Sequence, residues 1–389
     1  MWIEAHLLQN FSPSNLNRDD TGSPKDCEFG GYRRARLSSQ CQKKAIRDAF
    51  RGRELLPAEH VAVRTSRAAA AIAERLTERG RAAEEAENVA ATALRQLGFG
   101  LKEGRTDYLL FLGRDEIAAM ADVCLEHWDR LAGRADEGQG RKPKKTQDGD
   151  ALPKEVKTAL LAALDGRRAA DVALFGRMLA DLPERGREGA CQMAHALSTN
   201  AMDLEFDYFT AVDDLKGPEE DAGAGMIGTV EFTSACFYRY AGVDLRTLRQ
   251  NLGGDDALAA ATVRAFLVAL ATAIPTGKQH SFAAHNLPSL LLTVARSEAP
   301  RSLANAFVRP VSTRDGGGSD LVGNSIGALD GYWGRLEAMY GDGGLAAAAC
   351  LIDEGYADRL DRLGGFQTAT LDETIDRVVA AAGLPGRAA

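Results

Sequence analysis

Residues 12–47 read SPSNLNRDDTGSPKDCEFGGYRRARLSSQCQKKAIR. The segment opens as a turn-rich loop around Asn17, Arg18, Asp19 and Asp20, passes the Gly30–Gly31 pair and enters a run of cations. Between Tyr32 and Arg53 eight Lys or Arg face one Asp, a local charge of +7; the whole chain carries −8, which leaves −15 elsewhere. An acidic protein that gathers positive charge into one short segment directs that segment at a polyanion. Ser38 or Ser39 can cap a helix over residues 40–50. On that helix Lys43, Arg47 and Arg51 recur at i, i+4 and i+8, while Ile46, Ala49 and Phe50 take the other side. Gly30, Gly31, Ser38, Ser39 and Gln40 flank the cations. Small residues let backbone N–H groups approach phosphate, and hydroxyls and amides add neutral hydrogen bonds. The helix start contributes its own positive end. Nothing in this set distinguishes bases, so the expected ligand is a sugar–phosphate backbone bound without sequence preference and with strong salt dependence.

Upstream, residues 2–9 alternate as a strand, with Ile3, Ala5 and Leu7 on one face. The loop from Asn10 to about Leu37 is long for a compact domain, and long ordered loops are usually functional. Downstream, residues 60–182 carry helical periodicity. Over 84–97 the stripe is Ala86, Val89, Ala90, Ala93, Leu94 and Leu97, with Gly98 suited to the C-cap. A second helix is predicted over 115–131, and residues 108–112 read as a short buried extended segment. The RKPKK run at 141–145 and the TQDGD that follows read as a disordered basic loop, after which helix resumes at Pro153. Beyond Ser198 the period becomes two. Met202, Leu204, Phe206 and Tyr208 alternate with Asp203, Glu205 and Asp207, and Val230, Phe232, Cys236 and Tyr238 repeat the spacing. Two strands around the Gly-, Asp- and Glu-rich connector 213–225 predict a projecting β-arm. The C-terminal part returns to helix, interrupted by the PTGKQHSF loop (275–282) and a glycine run at 316–318.

The 389 residues suffice for two or three lobes, and 45% hydrophobic with 26% charged residues is the composition of a soluble globular protein. Six cysteines form no CxxC and have no His at metal-ligand spacing, which predicts reduced intracellular thiols. There is no signal-peptide pattern and no apolar run of about 18 residues, so the cytoplasm is the expected location and no membrane the expected partner. P-loop and GxGxxG patterns are absent. The six histidines fall in no catalytic or metal-binding pattern. Asp19 and Asp20 fit either a divalent-metal site or an Asx-turn.

Several blocks together identify a family resemblance: SPSNLNRDD, PKDCEFGGYRRARLSSQ, MAHALSTN, DYFTAVDDL, GTVEF with FYRY, NLGG, PTGKQHSFAAHN and SLANAF. They span almost the whole chain, which resembles the CasC-type backbone subunit of the type I-E CRISPR Cascade complex. Residues 55–180 match only in character. The resemblance implies an α+β fold: a ferredoxin-like (RRM-like) palm from residues 1–58 and 183–389, an inserted helical fingers domain at 59–182, and a β-hairpin thumb at about 199–232. It implies a non-catalytic protein without cofactor or metal, bound to guide CRISPR RNA and, through guide pairing, to target DNA. Partners are other Cascade subunits and further copies of the chain, about six, stacked head to tail.

Carried over by position, the RNA-backbone groove comprises Arg18, Lys25, Ser38, Gln40, Lys43, Lys44 and Arg47, with Lys278 and Gln279 from the PTGKQ loop. Arg33, Arg34 and Arg36 join it from the charge run. Apolar wedges beside a displaced base fall on Met178, which fits a core position equally well, and on Ile227 with Met226 as the neighbouring alternative. The acidic residues Asp213, Asp214, Glu219, Glu220 and Asp221 are expected to face a neighbouring copy or solvent. Related backbone subunits of other CRISPR types cut target RNA with a loop aspartate. Asp19, Asp20 and Asp26 therefore define the alternative, a metal-dependent ribonuclease.

Overall fold

Strand β1 (Trp2–Ser14) is almost wholly buried, unlike the half-exposed strand that strict alternation predicts. Its position explains this: Met226–Asp244 pairs with it on one side and Leu290–Arg296 on the other, both antiparallel. A strand inside a sheet covered on both faces reads as a continuous apolar run. The computed structural model describes residues 1–133, 153–211, 226–312 and 320–386. The basic run 141–145, the connector 213–225 with its acidic residues, and the glycines 316–318 lie outside the described residues.

The chain forms two compact units. One comprises Met1–Gly52, Gln192–Asp244 and Val263–Ala389; the other comprises Arg53–Cys191 and Leu245–Thr262. The first is α+β and is built on an antiparallel sheet. The strand order is Leu345–Ile352, Leu290–Arg296, β1, Met226–Asp244, Ala196–Ser198, β3 (Tyr32–Leu37) and β2 (Asp26–Phe29). On one face Leu8, Tyr238, Leu292 and Val294 pack with Ile326, Leu329 and Trp333 of the helix Leu321–Tyr340. Residues one step out of phase face the other way. There Thr293 Oγ donates to the Thr374 carbonyl of the helix Leu371–Ala381, and Phe11, Ala35, Leu37, Ala235 and Phe237 form a second cluster.

The strand Met226–Asp244 does two jobs. Its C-terminal part lies in the sheet, and its N-terminal part continues outward, paired with Glu205–Ala211 from Glu205↔Phe232 to Ala211↔Met226. Every residue of Glu205–Ala211 is exposed. This is the two-stranded arm that the period-two pattern predicts.

The second unit is mainly helical. The predicted helix over 84–97 is Ala83–Gln96, followed by Gly98 at φ +101°, and the extended segment near 110 is Leu110–Leu112, paired with Val63–Thr65. Ile72, Leu76, Val89, Leu94, Met120 and Leu160 are fully buried in its core. Residues 245–252 also belong here, because the Asn251 amide donates to the carbonyls of Ala173 and Glu188. Within this unit Arg177 and Glu116 form an ion pair with both side chains wholly buried. Removing one partner of such a pair strands a buried charge, at a cost of about 3–5 kcal/mol.

Candidate nucleic-acid interface

The interface in the first unit is assembled by hydrogen bonds that hold the 15–25 loop against β3 and the helix α1 (Ser39–Gly52). Asn17 supplies two of them: its side chain accepts from the Ser38 N–H (2.8 Å) and its carbonyl from the Lys25 N–H (2.8 Å). The Lys25 carbonyl in turn accepts from Arg36 N–H. Ser38 Oγ accepts from Cys41 N–H at 3.2 Å and so caps α1, a bond worth about 1 kcal/mol. Buried Asn15 donates to the carbonyls of Gly22 and Glu231, tying the loop to the base of the arm. Asp19 closes the loop tip by accepting from Thr21 N–H, Thr21 Oγ and Ser23 N–H. These bonds, the Thr21 hydroxyl first, hold its carboxyl below the usual range.

The result is a polar cleft of about 440 Å³ lined by Arg18, Thr21, Gly22 and Ser23 from the loop, Thr229, Val230 and Glu231 from the arm, and Lys278. Lys278 sits in the left-handed region at φ +52°. Next to it, a Cβ on Gly277 would stand 2.3 Å from the Leu16 carbonyl oxygen, so only glycine lets the 275–282 loop approach this closely. Two cations and three hydroxyls around an open space can hold a phosphate.

The other sequence-derived residues are placed as follows. Lys25 is half-buried, Gln40 is exposed on the first turn of α1, and Lys43 and Arg47 are half-buried along that helix. Lys44 is exposed and pairs with Asp48 at 2.6 Å. Arg33 is exposed and pairs with Asp26. Arg36 donates to the Asp26 carbonyl (3.0 Å) and to His195 Nδ1 (2.8 Å). Two of these residues use their side chains within the protein. Arg34 is buried, and its guanidinium donates to the carbonyls of Ser198, Thr199, Phe307 and Val308. It staples the edge of the sheet and does not face a groove. Gln279 uses its amide on the carbonyls of Pro275 and Ala284 and so staples its own loop. Of the apolar positions, Met178 is 86% exposed, which removes the core reading; Ile227 is 72% and Met226 57% exposed on the arm.

Two residues escaped the sequence reading. His195 lies beside Arg36, and burial, then Arg36 and Lys25, push its imidazole below its ordinary value. With Nδ1 accepting from Arg36, Nε2 carries the proton and is a donor. Arg239 is buried beneath α1, bonded to neutral groups: Gln42 Oε1 (3.1 Å) and Gln9 Oε1 (2.6 Å). Burial pushes it down to about 10, so it stays charged at neutral pH. Burial pushes the Cys41 thiol in the first turn of α1 up, and the nearby charges of Lys25, Lys44 and Arg239 partly offset this. Among the described residues no group of three or more His, Cys, Asp or Glu converges to hold a metal ion, and no helix is long and apolar enough to cross a membrane.

The fold and this cleft define the chain as an α+β protein with a polar cleft lined by Arg18, Lys278 and three hydroxyl side chains. It belongs to the CT1975-like family of Cas proteins, whose model matches residues 3–377. It is similar to a chain of a solved structure titled "CRISPR RNA-guided surveillance complex, pre-nicking". The two are 33% identical with a TM-score of 0.81, over 98% of this chain and 100% of that one. A chain of a second structure, "CRISPR RNA-guided surveillance complex", is 28% identical with a TM-score of 0.72 and the same coverage. No curated protein sequence matches the chain.

Proposed function

We propose that the chain is a guide-RNA-binding backbone subunit of a CRISPR surveillance complex of type I-E, and that it binds and preorganises RNA without cleaving it. The carrying observation is the convergence of Arg18 and Lys278 in one cleft with the hydroxyls of Thr21, Ser23 and Thr229. The ligand is a ribose–phosphate backbone, held by charge and by N–H and O–H donors; sequence choice belongs to base pairing with target DNA. In this reading the first unit is the ferredoxin-like palm, the helical unit the fingers and the Glu205–Ala211 arm the thumb. About six copies stack head to tail along the guide, a heterologous contact that extends into a helical filament. Exposed Met178, Ile227 and Met226 then serve as wedges that displace a base at intervals. The assembly works in the cytoplasm with other Cascade subunits.

The ribonuclease alternative has less support, because Asp19 is engaged in its loop and Asp26 pairs with Arg33. The test is incubation of the assembled complex with complementary RNA and Mg²⁺, using the wild type and Asp26→Ala. Intact RNA in both supports the scaffold, and regular cleavage abolished by the substitution overturns it. Salt titration of guide binding tests the groove itself. Arg18→Ala or Lys278→Ala should weaken binding alike for all guide sequences and reduce the salt slope by roughly 1. An unchanged slope rejects the assignment.

A further inference from the structure

Met178 is the most exposed large apolar side chain among the described residues, yet the backbone around it is fixed on every side. Before it, Gly176 turns the chain at φ +79°, and Arg177 and Arg187 exchange both backbone hydrogen bonds, at 2.9 and 2.7 Å. A Cβ on Gly189 would stand 2.7 Å from the Leu174 carbonyl oxygen, so the two ends of the 177–187 loop meet across bare backbone. The Arg177 guanidinium turns inward. It donates to both Glu116 oxygens (2.8 and 2.7 Å) and to the carbonyls of Phe111, Leu164 and Arg185. Glu116 is itself held by the Gly113 N–H at 2.7 Å. After it, Leu179 is in the hydrophobic core, and Asp181 exchanges hydrogen bonds with the Tyr108 hydroxyl through both its N–H and its carboxylate.

We infer that the buried Arg177–Glu116 pair is a positioning device, which mounts Met178 rigidly in solvent so that its side chain meets an unstacked nucleobase without reorganisation. This rests on the reading of Met178 as a base-displacing wedge. The chemistry suits the task. A methionine side chain is polarizable and unbranched and lies against any base face. Indifference to sequence thus comes from the side chain, and definition of place must come from the backbone. A buried ion pair is a weak source of stability compared with apolar packing of the same volume, but its several directional bonds fix one geometry. Arg177 and Glu116 are thereby positioning residues that never touch RNA.

The test assembles full-length protein on guide RNA carrying 2-aminopurine at a displaced position, whose fluorescence rises on unstacking. Met178→Ala removes the wedge and keeps the mount. Glu116→Leu combined with Arg177→Met removes the mount and fills its volume with apolar atoms. Both should lose the fluorescence rise when measured at saturating protein, where every guide is bound. Wild-type fluorescence from the double variant overturns the mount. Wild-type fluorescence from Met178→Ala overturns instead the wedge on which it rests. Amide hydrogen exchange of the wild type supplies an arm that needs no variant. The N–H groups of Arg177, Asp181 and Arg187 should exchange as slowly before RNA is added as after. Fast exchange that slows only on RNA binding means the loop is ordered by its ligand, and the proposal fails.

Discussion

Replacing Arg34 and replacing Arg18 have opposite expected consequences, although both are cations of the same short segment. Arg34→Ala leaves four carbonyls without their buried donor and should cost about 2–4 kcal/mol of stability, read by urea unfolding, with the salt slope of RNA binding unchanged. Arg18→Ala should do the reverse. His6 gives a pH test. Burial, then the charge of Arg296, pushes its imidazole down to about 3 in the folded chain, whereas unfolded it titrates near 6.5. The folded value lies below the unfolded one, so this stability is complete above about pH 6.5 and is lost as acid approaches pH 3, at up to about 1.4 kcal/mol per pH unit. Urea unfolding at pH 7 and pH 5 should show that difference shrink by about 2 kcal/mol in His6→Gln; an unchanged difference contradicts the assignment. At this scale the sequence is least legible. The run Arg33–Arg34–Ala35–Arg36 states charge but not which strand face is covered. That is decided by Phe307 and Val308, far along the chain. His195 and Arg239 were missed for the same reason: each matters through a neighbour, Arg36 or Gln42, that periodicity cannot place.

The elements were more legible, because period and caps are local. Ser38 caps a helix that begins one residue before the predicted start, with Ile46, Ala49 and Phe50 buried as the spacing requires. The arm follows from the alternation after Ser198, and its length from continuity with the central strand. What the sequence could not supply is the cleft, made by three segments that converge from across the chain. Lys43→Ala and Arg47→Ala on α1 should each lower the salt slope of RNA binding by roughly 1. In the arm, a Cβ on Gly228 would lie 2.3 Å from the Phe209 ring directly opposite. Gly228→Ala should therefore displace that ring and speed amide exchange in Glu205–Ala211 while the sheet strands stay protected. Exchange confined to its wild-type rate rules out the close packing.

At the scale of the whole molecule, the α+β class follows from runs of alternating and helical residues, while the joining of residues 245–262 to the helical unit rests on contacts such as those of Asn251. The molecule is an acidic body, net −8, that gathers eight Lys or Arg between Tyr32 and Arg53 along the edge formed by β3 and α1. Such a body should leave bulk nucleic acid unbound at moderate salt yet hold one strand along that edge. Deleting residues 213–225 should impair assembly of successive copies more than binding of the first copy to RNA, measured by mass photometry against filter binding. The most direct measurement is a cryo-electron microscopy map of the chain assembled on guide RNA. The account predicts the ribose–phosphate backbone against Arg18, Lys278 and the first turn of α1; a strand running elsewhere, with that helix in water, contradicts it.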